Sequence, residues 1–283
     1  MKKYALIGHP LGHSLSPRIH TRLMQLAGTD GTYELLDIPP EELTERFGSL
    51  SGLDGFNATI PHKVGIIPYC TRLDASAEKF GSVNCVSNGE EKVGYNTDVF
   101  GFTRSISMLG ARLDSRVLVI GCGGVGRMIA AEAAYSGGDV TVAVLKDFAA
   151  DAEKTVSAVK ERMPGAKISI TVISGEVLSP DDLGGKMPEY DLLINASPVG
   201  MFPKTDRMPC TEAVVRNVKH VFDVVYNPKE TLLYKTAKAL GKPAMTGMAM
   251  LVLQAAAAQE IWNGSEFAES DLRQLISDME ELV

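Results

Sequence analysis

Residues 117–127 read VLVIGCGGVGR, an apolar run that leads directly into a cluster of glycines. The run 117–120 is typical of a buried strand. Gly121, Gly123 and Gly126 follow it with the Gly-x-Gly-x-x-Gly spacing that opens a helix in dinucleotide-binding proteins. The stretch therefore predicts a strand, a tight turn and a helix, which together begin a domain that binds a dinucleotide.

Each glycine of this loop has a physical reason. Gly121 permits the tight turn, Gly123 lets backbone N–H groups approach a pyrophosphate, and Gly126 allows close packing of helix on strand. The helix N-terminus presents unpaired N–H donors, which stabilise an anion. We expect Gly121, Gly123, Gly124 and Gly126 to bind NAD or NADP in a Rossmann-type domain; the alternative is a glycine-rich turn without a ligand.

The end of the next strand normally separates the two cofactors. An acidic residue there binds the ribose hydroxyls of NAD, whereas a basic residue receives the 2′-phosphate of NADP. Here the strand that starts at Val140 ends in Leu145, Lys146 and Asp147, so a cation and an anion are neighbours. At this point both cofactors stay open.

Composition favours a soluble, two-domain protein. The chain has 283 residues, of which 45% are apolar and 22% charged, and domains usually hold about 100 to 200 residues. The net charge of −7 comes without a basic stripe, which argues against nucleic acid as a partner. The chain also lacks a long apolar run and a secretory signal pattern, so we expect a cytoplasmic protein that does not bind membranes.

Strand-like and helix-like segments alternate along the chain, which predicts an α/β fold with helices covering parallel sheets. Segments 83–87 and 92–96 are predicted to form an edge hairpin, joined by a tight Asn88-Gly89 turn with positive φ angles. We place the domain boundary near Phe102. The other predicted strands lie at 4–7, 33–37, 140–145, 168–173, 190–195 and 221–225, and predicted helices at 17–27, 41–50, 99–109, 149–162, 232–240, 248–262 and 271–282.

Two hydroxyls stand close together in GHPLGHSLSPRIH, residues 8–20. Ser14 and Ser16 follow the first strand, and both could donate to one carboxylate. Ser16 before Pro17 is also a common helix start, with serine as the N-cap and proline at the first helical position. Both roles stay open.

Lys63 ends the segment FNATIPHK, and we expect it in the first turn of a helix. A lysine there opposes the helix macrodipole, so the position favours a functional role over a stabilising one. A solvated surface lysine is the alternative. Asp98, at the end of the strand in YNTD, could bind a ligand or cap the following helix.

Eight segments in this order resemble the shikimate dehydrogenase family, and the likeness extends over essentially the whole chain. They are GHPLGHSLSPRIH at 8–20, FNATIPHK at 56–63, GSVNCV at 81–86, YNTD at 95–98, GCGGVGR at 121–127, NASPVGM at 195–201, DVVYNP at 223–228 and TGMAMLVLQAAAA at 246–258.

The resemblance implies an NADP-dependent oxidoreductase that reversibly reduces 3-dehydroshikimate to shikimate, a step of chorismate and aromatic amino acid biosynthesis. Lys63 and Asp98 would be the catalytic pair, with the ammonium supplying a proton and the carboxylate positioning it. The other implied contacts are Ser14 and Ser16 for the substrate carboxylate; Thr59, Asn84, Asp98 and Gln254 for the ring hydroxyls; Tyr226 for the substrate; and Lys146, Asn195 and Gly247, with the glycine loop, for the cofactor.

The resemblance also implies a domain order. A substrate-binding catalytic domain would cover residues 1–102 and be joined by C-terminal helices at about 248–283, which pack back on it. A Rossmann-type domain would cover residues 103–247. We expect a monomer or homodimer whose partner is a small molecule. His9, His13, His20 and His62 lie near the motifs without metal-ligand spacing, so no metal is expected.

Two departures from the family pattern leave alternatives open. Val99 follows Asp98 where the family often has glycine, so the backbone there must avoid conformations that need glycine. Val144, Leu145 and Lys146 replace the Asn-Arg-Thr box of NADP-specific members. An NAD-dependent quinate/shikimate dehydrogenase and a non-catalytic dinucleotide-binding protein are therefore alternatives.

Overall fold

A computed structural model describes residues 1–12, 14–185 and 187–283. The chain separates into two compact units: Met1–Gly101 with Leu251–Met279, and Phe102–Met250 with Glu280–Val283. Each unit contains a six-stranded sheet, and helices alternate with strands along the chain. The α/β prediction is therefore confirmed.

The first unit has a mixed sheet in the order β2-β1-β3-β5-β6-β4. Strand β1 pairs in parallel with β2 and β3, whereas β5 runs antiparallel to both β3 and β6. Its strands are β1 Lys2–Gly8, β2 Gly31–Asp37, β3 Gly55–Ala58, β4 Arg72–Leu73, β5 Cys85–Asn88 and β6 Lys92–Tyr95, and its helices are α1 Ser16–Leu26, α2 Leu43–Leu50, α3 His62–Gly65 and α4 Ala75–Phe80.

Both faces of β1 are buried because its side chains alternate between two apolar clusters. Ala5 and Ile7 pack with Phe56 on one face, and Tyr4 packs with Tyr33 on the other. The first unit therefore has a core on each side of its sheet.

The second unit has a parallel sheet in the order β12-β11-β10-β7-β8-β9. The strand order reverses between β7 and β10, which is where doubly wound sheets bind dinucleotides. Helix α5, Thr97–Leu109, leads into this unit; its strands are β7 Arg116–Ile120, β8 Asp139–Leu145, β9 Lys167–Ile173, β10 Tyr190–Asn195, β11 Val218–Asp223 and β12 Ala244–Thr246, and its helices are α6 Gly124–Tyr135, α7 Ala149–Arg162, α8 Glu212–Arg216 and α9 Leu232–Ala239.

The C-terminal helices are α10 Met248–Asn263 and α11 Glu269–Glu280. Their segment Leu251–Met279 belongs to the first unit, where the indole Nε1 of Trp262 donates to the carbonyl of Val86 at 3.0 Å. Gly55 is needed beneath that indole, because a Cβ there would lie 2.4 Å from its Nε1. Among the residues that the structure describes, none of the helices is both long and apolar enough to cross a bilayer.

The predicted hairpin forms, but two details of it are wrong. Its loop spans three residues, since β5 ends at Asn88 and β6 begins at Lys92, and neither Asn88 nor Gly89 has a positive φ. The N–H of Gly89 instead donates to the carbonyl of Glu91 at 3.2 Å. The hairpin is also not the sheet edge, because the short strand β4 pairs with β6. Strands β4 and β12 and helices α4 and α8 were not predicted; they have two to six residues each, too few for a periodic pattern.

We predict that Gly126→Ala lowers the free energy of unfolding by about 1 to 3 kcal/mol, the usual cost of overpacking. The reason is steric, since a Cβ at this position would lie 2.5 Å from the carbonyl oxygen of Gly121. Urea unfolding of the purified variant measures the effect. Gly124→Ala is the matched control, because no atom lies within 4 Å of its added Cβ. Equal loss in both variants would contradict the packing role of Gly126.

Candidate active site

Lys63 and Asp98 form a short ion pair in the first unit. Lys63 lies in α3, which follows β3, and Asp98 lies in the first turn of α5, which follows β6. The Nζ of Lys63 lies 2.6 Å from Oδ2 of Asp98, and the two side chains are 26% and 16% exposed. Charge-assisted hydrogen bonds of this length are among the stronger polar contacts in proteins. The ammonium is thus held in one place, on a side chain that is only partly buried.

Asn84 holds the other oxygen of the Asp98 carboxylate. Its Nδ2 donates to Oδ1 of Asp98 at 2.9 Å and lies within 2.9 Å of the hydroxyl of Thr97. Its Oδ1 accepts the backbone N–H of Thr97 at 2.6 Å. Asn84 and Thr97 are both buried, so they form a neutral polar support behind the ion pair.

Gln254 joins this cluster from α10. Its Oε1 lies 3.5 Å from Nδ2 of Asn84 and 3.4 Å from the hydroxyl of Thr97, and its Nε2 donates to the carbonyl of Leu251 at 2.9 Å. The amide therefore has partners within the protein, and it does not need a ligand to satisfy it. The structure thus brings together Lys63, Asp98, Asn84 and Gln254 from the sequence prediction. It adds Thr97, which also belongs to the YNTD motif. From sequence alone, this threonine could equally have been an ordinary residue at the start of a helix.

Ser14 and Thr59 lie in the loops that follow β1 and β3, and Ser16 stands just after the first of these loops. The hydroxyl of Ser14 accepts the N–H of Ser16 at 3.2 Å. Ser16 is already the first residue of α1, and Leu15 occupies the N-cap position, so the N-cap assignment of Ser16 is wrong. The two loops adjoin, since a Cβ on Gly8 would lie 2.5 Å from Cγ2 of Thr59.

The glycine loop of the second unit fits a pyrophosphate. Gly121 has a φ of +95°, and Gly123 is the N-cap of α6. Gly123 and Gly124 are exposed, with open space where their Cβ atoms would be. The exposed helix N-terminus therefore presents its N–H donors to a space that an anion can enter.

Lys146 lies in a 3-10 turn, Lys146–Phe148, directly after β8, and both Lys146 and Asp147 are exposed. Strand β8 neighbours β7, whose end carries the glycine loop. Sequence reasoning missed Arg127, the residue after the third glycine. Its Nε donates to the carbonyl of Cys122 at 3.2 Å, which keeps its guanidinium beside the same loop.

Asn195 and Asp223 form a buried pair at the ends of β10 and β11. The Nδ2 of Asn195 donates to Oδ1 of Asp223 at 2.9 Å and to the carbonyl of Val199 at 3.1 Å. Asp223 also accepts the hydroxyl of Thr231 at 2.6 Å and the N–H of Val225 at 3.1 Å. The side chain of Asn195 is fully buried, so it braces the loops that follow these two strands. Burial raises the pKa of Asp223 to about 6.

Tyr226 and Gly247 lie on the same edge of the second sheet. Tyr226 follows β11 by three residues and is 38% exposed. Gly247 follows β12, and a Cβ there would lie 1.9 Å from the carbonyl oxygen of Val224. Glycine at position 247 therefore has a packing reason that is independent of any ligand.

The histidines near the motifs have polar partners. His9 pairs with Asp37 at 2.6 Å, His62 contacts the carbonyl of Ile38 at 2.6 Å, and buried His20 contacts Gln259 at 3.0 Å. His13 lies outside the described residues. Within residues 1–12, 14–185 and 187–283, no three His, Cys, Asp or Glu side chains form a metal-binding group.

Two family models match the chain. Residues 6–86 match the shikimate dehydrogenase substrate binding domain, and residues 117–258 match the saccharopine dehydrogenase NADP binding domain. Together they define the class: two-domain dehydrogenases with a substrate domain ahead of a dinucleotide domain. A curated shikimate dehydrogenase (NADP(+)) of Caldanaerobacter subterraneus is 36% identical over 95% of this chain and 94% of its own length. The chain therefore belongs to the shikimate dehydrogenase family.

Solved structures agree with this assignment. Shikimate 5-dehydrogenase of Listeria monocytogenes, in complex with shikimate and NAD, has a TM-score of 0.87 at 28% identity and covers 98% of this chain and 96% of its own. The 5-ketofructose reductase of Gluconobacter sp. strain CHM43 has a TM-score of 0.84 at 26% identity, with 98% of both chains covered. The same architecture is thus found in proteins named for shikimate and for 5-ketofructose.

We predict that titration of Asp223 makes the free energy of unfolding of wild type depend on pH, and that Asp223→Asn removes this dependence. Because the pKa of Asp223 is raised to about 6, the folded state favours the protonated acid, and this contribution is lost as pH rises through about 6. Between about pH 5 and pH 7.5, wild type should lose roughly 1 to 2 kcal/mol of unfolding free energy relative to the variant. Urea unfolding at both pH values measures this difference, and parallel pH curves for the two proteins would contradict it.

Proposed function

We propose that this protein is a shikimate dehydrogenase that interconverts 3-dehydroshikimate and shikimate, with NADP as the preferred cofactor. The observation that carries the proposal is the 2.6 Å ion pair between Lys63 and Asp98, held by buried Asn84 in a member of this family. A dinucleotide-binding protein without catalysis would have no need to keep a half-buried ammonium fixed beside a carboxylate, since such a pair adds little to stability.

Lys63 and Asp98 would perform the proton transfer of this reaction. Bound NADP supplies the hydride acceptor for shikimate oxidation, and its reduced form supplies the donor in the reverse direction. Reduction of the ketone builds negative charge on its oxygen, and the Nζ of Lys63 stabilises that charge and donates the proton. Asp98 keeps the ammonium directed at the oxygen, while Asn84 prevents the carboxylate from rotating away.

The first unit would bind the substrate through hydroxyl and amide groups. Ser14, in the loop after β1, and Ser16, at the start of α1, are suited to donate to the ring carboxylate. Asn84 and Gln254 lie in the same cluster as the ion pair, so they are suited to the ring hydroxyls beside the reacting carbon. Thr59 would add a contact from the loop after β3. The family resemblance also implies a substrate contact for Tyr226.

The second unit would bind the cofactor through the glycine loop, with Gly121, Gly123, Gly124 and Gly126 shaping it. Lys146 would receive the 2′-phosphate of NADP. Asn195 and Gly247 would contribute by fixing loop conformation, since one is fully buried and the other packs against backbone. Use of NAD is the second candidate, supported by exposed Asp147 beside Lys146 and by the missing Asn-Arg-Thr box.

We predict that Lys63→Ala lowers kcat for shikimate oxidation by about 100- to 10,000-fold, the usual contribution of general acid–base catalysis. The KM for shikimate should change far less, because the lost interaction acts mainly in the transition state. The absorbance of reduced nicotinamide gives the rate. Quinate and 5-ketofructose are assayed separately as alternative substrates. Lys3→Ala, an exposed lysine of β1 in the same unit, is the control. Turnover like that of wild type in Lys63→Ala would refute the mechanism, and a higher kcat/KM on quinate or 5-ketofructose would refute the substrate.

Cofactor choice gives a separate prediction. Lys146→Gln should lower kcat/KM for NADP about tenfold and leave that for NAD unchanged, because a hydrogen bond between charged groups is worth roughly 1.5 to 3 kcal/mol. Asp147→Asn is the matched control, and it should raise kcat/KM for NADP by removing a like charge. If wild type prefers NAD, or if Lys146→Gln lowers kcat/KM equally for both cofactors, Lys146 does not select NADP.

A further inference from the structure

A buried hydrogen bond crosses the first sheet behind the ion pair. The hydroxyl of Tyr33, on β2, donates to Oδ1 of Asn57, on β3, at 2.7 Å. Strand β1 lies between these two strands, so the tyrosine side chain spans the face of β1 to reach its partner. Both residues are buried, and neither was included among the predicted site residues.

The side-chain amide of Asn57 connects the Tyr33 hydroxyl to the backbone of Asn84. Its Nδ2 donates to the backbone carbonyl of Asn84 at 3.0 Å, an oxygen that also accepts the N–H of Ala58 at 2.9 Å. The side chain of Asn84 in turn donates to the Asp98 carboxylate at 2.9 Å. A continuous line of contacts therefore runs from the Tyr33 hydroxyl to the carboxylate that pairs with Lys63.

The orientation of the Asn57 amide depends on Tyr33. A primary amide can be turned over, which exchanges its acceptor and donor ends. With the Tyr33 hydroxyl present, Oδ1 has a donor and Nδ2 points to the carbonyl of Asn84. Without it, Oδ1 becomes an acceptor with no donor in an apolar environment, and the amide is free to shift toward other partners. The ring of Tyr33 is itself fixed by stacking on His20, with centroids 4.0 Å apart.

We infer that Tyr33 is a positioning residue for the catalytic pair, acting through Asn57 and the backbone of Asn84 on the carboxylate of Asp98. The inference deepens the proposed function and rests on it. Tyr33 touches no reacting atom in this scheme. It keeps the carboxylate, and hence the ammonium of Lys63, in the orientation that the chemical step needs.

Tyr4 provides a matched control within the same sheet. Tyr4 and Tyr33 are register partners on neighbouring strands, and both are buried. The hydroxyl of Tyr4 donates to Oδ1 of Asn263 at 2.7 Å, a bond of the same length and type as that of Tyr33. It leads to Asn263, the last residue of α10, and not to Asn57. Tyr4→Phe thus removes a hydrogen bond of the same length and type from the same sheet, at a partly buried position.

The test is the single-turnover rate constant for hydride transfer, with enzyme in excess over shikimate at saturating NADP. Because shikimate is limiting and the folded enzyme is kept well above its Kd for shikimate, a loss of stability alone leaves both the rate constant and the amplitude unchanged. Tyr33→Phe should lower the rate constant about tenfold, as expected when a catalytic group loses part of its alignment. Tyr4→Phe should stay within about twofold of wild type.

A double-variant comparison tests whether Tyr33 acts through Asn57. In an Asn57→Ala background, Tyr33→Phe should have no further effect on the rate constant, because the contact that it breaks is already absent. An unchanged rate in Tyr33→Phe, an equal drop in Tyr4→Phe, or additive effects of the two changes would each overturn the positioning role. Failure of the proposed function is distinguishable, since wild type itself would then show no turnover of shikimate.

Discussion

The Asp98 carboxylate is held by two donors from different elements, and the candidate active site depends on this arrangement. Lys63, in α3, donates to Oδ2, and Asn84, the residue before β5, donates to Oδ1. With each oxygen bound, the carboxylate plane is fixed, so the ammonium has a fixed direction as well. A partly exposed ion pair held only by mutual attraction would be weak and mobile. The neutral amide behind it supplies the geometric constraint that charge alone does not.

The mixed topology of the first sheet brings these groups together at one end of its strands. Strand β5 runs antiparallel to both of its neighbours, β3 and β6. The start of β5 therefore meets the ends of β3 and β6, and Asn84, Thr97 and the segment leading to Lys63 come together. In a wholly parallel sheet, the start of β5 would lie at the opposite end of the strands. The reversal of one strand thus creates a site at which a β-strand start, a helix start and a loop converge.

The reacting residues of this site could be predicted from sequence more fully than the residues that hold them in place. Lys63 and Asp98 stand in short motifs at strand ends, where the local pattern already indicates that they face the same edge. The roles of Tyr33 and Thr97 could not be predicted, because their hydrogen bonds join segments whose register only the folded sheet fixes. Similarly, the protein partners of Gln254 could not be predicted, since Asn84 and Thr97 lie far away in sequence. Five of the six parallel strands of the second unit were predicted from sequence, and the central strands β7 and β10 are buried along almost their whole length.

Both units pair an asparagine amide with an aspartate at the edge of a sheet, yet the two pairs have different roles. In the first unit, Asn84 supports Asp98, which is partly exposed and has an ammonium at 2.6 Å. In the second, Asn195 supports Asp223, which is fully buried, receives only neutral donors and has a pKa raised to about 6. A cation beside the first carboxylate makes it suited to proton chemistry on a ligand. The second carboxylate, which is buried and bound by neutral donors, is suited to bracing loops, so burial and partner charge, more than residue type, distinguish the candidate catalytic aspartate from the structural one.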